Sequence, residues 1–219
     1  MLDAPALAVF VPAAAALILT PGPDTLYVLS RGVGAGRRVG VRAALGVSTG
    51  VLVHTLGAVL GLSVLLQTSA VAYAVVRYAG AAYLCYLGVA AIRNRGTGEM
   101  AGSDGASGED PRSAGAAGRG GYVQGVLVNV LNPKVALFFL AFLPQFVPAG
   151  ADAPATMALL GGVYSALTLV YLGGVALFSG AIDRALEGYG TTVEAVAGLA
   201  LVALGAGLAV DGAVGTAGP

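Results

Sequence analysis

Hydrophobic residues along the chain fall into six long apolar segments separated by polar connections. The segments run roughly over 5–29, 43–66, 70–92, 122–146, 155–180 and 191–211. Each is about 20 residues or longer, which is the length that an α-helix needs to cross the hydrocarbon core of a bilayer. The pattern therefore predicts an all-α integral membrane protein with six transmembrane helices.

One connection is much longer than the others. Residues 94–121 are rich in Gly, Ala, Ser and charged residues and have no hydrophobic periodicity, which is typical of a flexible linker. This linker, predicted to be cytoplasmic, divides the chain into a first three-helix repeat, residues 1–93, and a second, residues 122–219. Because three is an odd number of spans, the two repeats would enter the membrane in opposite directions. Many secondary transporters are built from such inverted repeats.

Composition agrees with a membrane protein. The 219 residues are 57% hydrophobic and 10% charged, with a mean hydropathy of +0.86, whereas soluble domains carry about 25% charged residues. The formal net charge is zero, so the charge balance indicates no nucleic-acid partner. A single cysteine, Cys85, excludes an intramolecular disulfide and a redox pair. We expect no cofactor and no resident metal ion. The first 30 residues contain no Lys or Arg, so we expect no cleavable signal peptide.

Arginine residues predict the orientation of the bundle. They cluster in or beside the connections that follow the first, third and fifth segments, which lie on one side of a six-span bundle. These residues are Arg31, Arg37, Arg38, Arg42, Arg93, Arg95, Arg112, Arg119 and Arg184. Basic connections mark the cytoplasmic face, so both termini are expected outside.

Two polar interruptions stand inside apolar segments. The first is Thr20-Pro21-Gly22-Pro23-Asp24 and the second is Asn129-Val130-Leu131-Asn132-Pro133-Lys134. If Pro12 marks the start of the first span, both interruptions lie about 15 Å deep, near the middle of the bilayer. A broken backbone is tolerated there only where protein or a water-filled cavity satisfies its polar groups. An ionisable residue at this depth is a candidate functional residue.

Asp24 and Lys134 are the strongest candidates. Asp24 falls in the first turn of a restarted helix, where the helix dipole favours a carboxylate, so capping is an alternative. Lys134 follows the natural N-cap Asn132, where a cation is disfavoured. It therefore either pairs with Asp24 or, with the helix N-terminus, attracts an anion. Together the two sites would bind the amino group and the carboxylate of a free amino acid. No second deep carboxylate remains for a basic side chain, which favours neutral substrates.

Other polar residues have weaker assignments. His54 is a second candidate for proton coupling, or a packed histidine bonded to a neighbouring helix. It falls on a face of small residues, Gly46, Gly50, Gly57 and Gly61, which predicts close helix contact and would equally serve a homodimer. Thr20, Asn129 and Asn132 are expected to satisfy backbone groups freed by the prolines. With Pro23 and Pro133, they are also candidates for substrate contact. Tyr164, Thr168 and Tyr171 share one helix face and are expected to pack in the core.

These motifs together resemble the LysE/RhtB family of amino-acid exporters. The resemblance is carried by Pro21 to Asp24, the stretch from Gly46 to His54, Leu127 to Lys134 and the phenylalanine-rich stretch Phe138 to Phe146. It implies homoserine/threonine-type export of amino acids or close derivatives across a prokaryotic inner membrane, driven by the proton motive force. Val51 stands where some members carry an acidic residue, so proton coupling would use Asp24, His54 or another route.

The sequence thus predicts a secondary transporter that exports a neutral amino acid or derivative, with protons and the lipid bilayer as its other partners. A transporter of a metal or other inorganic ion is an alternative, although one histidine and one cysteine offer few soft ligands. A membrane enzyme or redox carrier is a further alternative. Against it, the chain has neither a cysteine pair nor an evident metal motif.

Overall fold

The structure is a computed structural model that describes residues 4–62, 70–93, 120–147 and 152–182, with eight separate positions between 192 and 210. The described residues form helices and short connections, without any strand. The all-helical class is therefore confirmed. The predicted linker lies outside the described residues except for its last two, which begin a helix. The division into two repeats stays a prediction.

The first apolar segment is a helix broken in its middle. Helix α1 spans Ala4–Leu19 and helix α2 spans Pro23–Ala35, and the two are bent by 55°. Pro23 opens α2 because a first helical turn needs no N–H from its first residue. Pro12 lies inside α1 and does not open that helix; its place at the start of the membrane span stays a prediction. Proline also occurs inside helices, with the loss of one backbone hydrogen bond. The presence of Pro12 alone therefore did not show whether it lies at the start of a helix or in its interior.

The second helix begins earlier than predicted. Helix α3 spans Arg37–Gly57 and continues as a π-helical turn, Ala58–Leu62. Only Gly36 separates α2 from α3, with φ at 89°, a conformation that glycine adopts without steric cost. Arg37, Arg38 and Arg42 therefore lie in α3 and not in a loop, and Arg31 lies in α2. Arginine is a good helix former, so α3 begins at Arg37 directly after the turn. The connection between α2 and α3 consists of Gly36 alone.

The remaining helices complete the described part of the fold. Helix α4 spans Ala70–Arg93, α5 spans Gly120–Val130 and α6 spans Pro133–Leu137. The last of these continues as a π-helical segment, Phe138–Phe142, and a 3-10 turn, Leu143–Phe146. Helix α7 spans Ala153–Leu177. The bend between α5 and the segment that α6 opens is 49°, close to the bend between α1 and α2.

Two described helices are long and apolar enough to cross a membrane, namely Arg37–Gly61 and Ala153–Leu177. Counting each bent pair as one span raises the number to four. The sixth predicted segment is described only at separate helical positions. One of them, Val202, has its carbonyl oxygen 3.8 Å from Cys85 Sγ of α4. The six-span arrangement with inverted repeats therefore stays a prediction.

Two apolar clusters hold these helices together. The first joins α1, the segment opened by α6 and the first half of α7; its largest fully buried side chains include Phe10, Phe138, Phe139 and Tyr164. The second joins α2, the first half of α3 and the second half of α7. On α7 the first cluster ends at Tyr164 and the second begins at Leu172. The first break also lies between the two clusters, since α1 belongs to the first and α2 to the second.

The glycine face of α3 packs closely against other described residues over part of its length. A Cβ atom at Gly50 would lie 2.7 Å from Asn129 Cβ, and one at Gly46 would collide with the Tyr122 carbonyl. At Gly57 and Gly61 a Cβ would meet no described atom within 4 Å. Close contact is therefore shown at Gly46 and Gly50, where the partner helix is α5, which ends at Val130. Contact of Gly57 and Gly61 with another helix or with a second copy stays a prediction.

Candidate functional site

The two helix breaks lie side by side and exchange side-chain hydrogen bonds. Asn129, in the last turn of α5, donates from Nδ2 to Asp24 Oδ2 over 2.9 Å. In the other direction, Lys134 Nζ donates to the carbonyl oxygens of Leu17 and Thr20 at the end of α1, over 3.2 and 2.9 Å. Residues 105 to 117 positions apart in the chain thus hold the two breaks together.

Lys134 replaces a backbone donor that proline lacks. In an unbroken helix the N–H of residue 21 would bond to the Leu17 carbonyl, but Pro21 has no N–H. Nζ of Lys134 supplies that donor, and it also serves Thr20, whose carbonyl lies at the helix end. Gly22 permits the approach, since a Cβ there would lie 2.9 Å from Nζ. These carbonyls, and not the Asp24 carboxylate, are the hydrogen-bond partners of this ammonium. They explain how a lysine is stable where the α6 dipole disfavours it.

His54 does the same for the second break. The carbonyl of Asn129 would accept the N–H of residue 133 in a regular helix, and Pro133 has none. It accepts instead from the Asn132 N–H over 2.9 Å and from His54 Nε2 over 3.0 Å. Because a carbonyl only accepts, Nε2 must carry hydrogen. The ring also stacks on Phe139, with centroids 5.9 Å apart. His54 thus contacts protein as expected, and its part in proton coupling stays a prediction.

A small cavity lies between the breaks and α7. Its volume is about 20 Å³, which is room for about one water molecule. Asp24 and Lys134 both line it, and each is 9% exposed. The two predicted charges therefore face one cavity. The remaining lining residues are Ile18, Thr25, Asn129, Val135, Tyr164, Thr168, Tyr171 and Leu172.

Three buried polar atoms at this site have no hydrogen-bond partner among the described residues: Asp24 Oδ1, Asn129 Oδ1 and Asn132 Nδ2. The orientation of both amides is fixed by their other bonds. Asn129 uses Nδ2 as a donor to Asp24, and Asn132 Oδ1 accepts the Lys134 backbone N–H over 3.0 Å. The site therefore offers two free acceptors and one free donor. Buried polar groups are normally satisfied, so this set is suited to a ligand that both donates and accepts hydrogen bonds.

Several predicted site residues shape the breaks without lining the cavity. Thr20 donates its hydroxyl to the Ala16 carbonyl over 2.7 Å. Pro23 and Pro133 open α2 and α6, and Asn132 caps α6. Val51, at the position where some relatives carry an acidic residue, is fully buried in the first apolar cluster.

The sequence did not identify every residue of the cavity wall. Tyr164 was expected to pack in the core, and it does so, with its ring 4.9 Å from that of Phe138. It also lines the cavity together with Thr168, Tyr171 and Leu172 of the same helix. Their spacing of four, three and one residues places them on one face of α7, which is a signal that a sequence can show. Thr25 could be found as the neighbour of Asp24.

Metal-binding chemistry has little basis in the described part of the chain. There, no three His, Cys, Asp or Glu side chains lie close enough together to hold a metal ion. The chemistry available at the cavity is that of one carboxylate, one ammonium, amides and hydroxyls.

Comparison with known proteins finds a matching family model and several similar membrane proteins. The sequence model of the LysE type translocator matches residues 15–212. The leucine efflux protein of Enterobacter sp. (strain 638) is 34% identical over 170 residues, covering 75% of this chain and 74% of that protein. The membrane protein YrhP of Bacillus subtilis (strain 168) is 30% identical over 168 residues, covering 75% and 79%. The leucine efflux protein of Klebsiella pneumoniae is 34% identical over 142 residues, covering 63% and 61%. No solved structure matches the chain.

Proposed function

Because the chain belongs to the family of LysE type translocators, we propose that it exports a neutral amino acid from the cytoplasm in exchange for protons. Relatives named leucine efflux proteins support an apolar side chain, and the resemblance noted from the motifs supports a threonine or homoserine side chain. Leucine, threonine and homoserine are therefore the substrates to test first. Transport, and not catalysis, is the activity that the family supports.

The observation that carries this proposal is that Asp24 and Lys134 are both buried and both face one cavity. A zwitterionic amino acid has a positive and a negative end, so it matches such a pair without leaving a buried charge unpaired. Its ammonium would donate to Asp24 Oδ1 and Asn129 Oδ1, which have no other donor in the described chain.

The carboxylate of the substrate would bind at the opposite end. Two of the three N–H groups of Lys134 serve the carbonyls of Leu17 and Thr20, which leaves one for a ligand. Asn132 Nδ2 is a further donor nearby. Thr20, Pro23 and Pro133 contribute by keeping the backbone open at this place.

The substrate cannot occupy the cavity in this closed form, since about 20 Å³ holds about one water molecule. Loading therefore requires helices to separate. On the side with the arginine-rich α2–α3 turn, α2 and α5 are joined by Tyr27, whose hydroxyl donates to the Gly121 carbonyl over 2.8 Å. Arg31 also donates to Gln124 there. If that side is cytoplasmic, as the arginines predict, these bonds break when substrate enters.

Counterflow in proteoliposomes tests the proposal. Vesicles preloaded with one unlabelled amino acid should accumulate the labelled form of the same amino acid. We expect Asp24→Asn and Lys134→Ala to abolish counterflow. Asp152→Asn, which changes an exposed carboxylate at the start of α7, should leave it unchanged.

Two results would contradict the proposal. A folded preparation that transports no amino acid would overturn the substrate class, and ion export in its place would favour the inorganic-ion alternative. Near-normal counterflow by Asp24→Asn or Lys134→Ala would remove the role assigned to that residue.

A further inference from the structure

Asp24 and Asn129 share one hydrogen bond, yet each also has a buried side-chain oxygen that accepts no hydrogen bond from the described residues. Asn129 Nδ2 donates to Asp24 Oδ2 over 2.9 Å, while Asp24 Oδ1 and Asn129 Oδ1 have no partner in the described chain. Asp24 is 9% exposed and Asn129 is fully buried. An ionised carboxylate and an amide oxygen are both acceptors only. In the ionised state neither can satisfy the other, and buried unsatisfied polar groups are unfavourable.

We propose that the closed form binds one proton on Asp24 Oδ1, and that Asn129 is the residue that positions it. The carboxyl O–H donates to Asn129 Oδ1 while Asn129 Nδ2 continues to donate to Asp24 Oδ2. A carboxylic acid and a primary amide thereby form a cyclic pair with two hydrogen bonds. A single proton satisfies both oxygens and removes a charge from a buried site.

The neighbouring polar groups do not perform this task. Lys134 from α6 lies close enough to attract the Asp24 carboxylate electrostatically, but its hydrogen bonds go to the carbonyls at the end of α1, so it donates to neither free oxygen. His54 from α3 directs Nε2 at the backbone oxygen of Asn129 and not at its side chain. From α7, Tyr164 and Tyr171 line the same cavity.

Asn132 is the remaining nearby donor. Its Nδ2 lies near the Asp24 carboxyl group but has no hydrogen bond of acceptable geometry. A small shift would let it serve one oxygen of Asp24. That shift would still leave Asn129 Oδ1 without a donor, whereas the proton serves both oxygens.

For its role in transport, this inference rests on the proposed function. When the cavity opens, the O–H bond of Asp24 breaks and the proton passes to water, which leaves a carboxylate that binds the substrate ammonium. After the substrate has left on the other side, a hydronium ion gives a proton to Asp24 and becomes water. The proton and the substrate compete for the same oxygens, so one proton enters for each amino acid exported.

Infrared spectroscopy of the purified full-length chain in lipid, without any amino acid, tests the protonated pair directly. We expect a carbonyl band of a protonated carboxyl group at neutral pH. The band should be lost in Asp24→Asn, retained in Asp152→Asn and shifted in Asn129→Leu. The absence at neutral pH of a band assignable to Asp24, in a preparation shown to be folded, would overturn the inference.

The thermal stability of Asp24→Asn gives a second measurement. An asparagine at position 24 donates to Asn129 Oδ1 and accepts from its Nδ2, so it reproduces the protonated pair. We expect a Tm at least equal to that of the unmodified chain, with loss of counterflow. A clearly lower Tm would contradict the pairing. The infrared measurement is repeated in sodium and choline buffers. Loss of the carboxyl band on adding sodium would show that a metal cation occupies the oxygens and would overturn the proton assignment.

The outcomes separate the two proposals. A carboxyl band without transport of any amino acid would leave the protonated pair standing and overturn the proposed function. Amino-acid transport without the band would do the reverse.

Discussion

Gly50→Ala tests how closely α3 approaches the second break. A Cβ atom at this position would lie 2.7 Å from Asn129 Cβ, 2.9 Å from Asn129 Oδ1 and 3.0 Å from the Val126 carbonyl oxygen. Optimal carbon–carbon contact is about 3.5–4.0 Å, so the first distance is short by roughly 1 Å. Asn129 Cβ is attached to the backbone and cannot rotate away. The substitution must therefore move α3 and α5 apart.

The magnitude follows from two opposing effects. Adding a methyl group to a close-packed interface costs about 1–3 kcal/mol, while replacing glycine by alanine inside a helix gains about 1 kcal/mol. Gly57→Ala is the matched control, since its Cβ would meet no described atom within 4 Å and only the gain applies. The difference in the free energy of unfolding between the two variants therefore isolates the packing cost of about 1–3 kcal/mol.

Thermal unfolding followed by circular dichroism in one detergent measures this difference. We expect Gly50→Ala to have a lower Tm than Gly57→Ala and a lower rate of counterflow, because the shift of Asn129 disturbs its bond to Asp24. Equal Tm values and equal transport for the two variants would refute the close approach of α3 and α5.

Two further substitutions test the donors that replace the proline N–H groups. Lys134→Met leaves the carbonyls of Leu17 and Thr20 without their donor, and we expect a loss of about 1–3 kcal/mol in the free energy of unfolding; an unchanged thermal unfolding curve would contradict the bond. His54→Gln keeps an N–H for the Asn129 carbonyl and should preserve stability, whereas His54→Leu should lower it by about 1–3 kcal/mol. Equal stability of the two His54 variants would show that this bond contributes little.

The two breaks were predictable because their signals are local. A proline and a charged residue inside an apolar segment identify Asp24 and Lys134 without knowledge of the fold. The carbonyls that each proline leaves unbonded are also fixed by sequence, since they lie four residues before it. Which side chain reaches them was not predictable, because the bond from Lys134 to Leu17 joins residues 117 positions apart.

Other features depended on the packing of neighbouring helices. The small residues of α3 are regularly spaced, yet Gly50 is in close contact while a Cβ at Gly57 would meet no atom of the described residues within 4 Å, because close contact requires a neighbouring helix at that level. Thr168 and Tyr171 line the cavity, but the same residue types also occur in packed cores, so their identity alone did not distinguish the two environments. The size of that cavity depends on distances between helices, which residue types do not encode.

The bond between Lys134 and the end of α1 also has a consequence for biosynthesis. While the ribosome is producing the first three segments, the carbonyls of Leu17 and Thr20 have no lysine to bind, because residue 134 has not yet been added to the nascent chain. A bilayer offers no substitute donor in its hydrocarbon interior. If the first bent helix spans the bilayer, as the sequence predicts, we therefore expect it to reach its final depth only late in membrane insertion, after the second bent helix has emerged and docked against it.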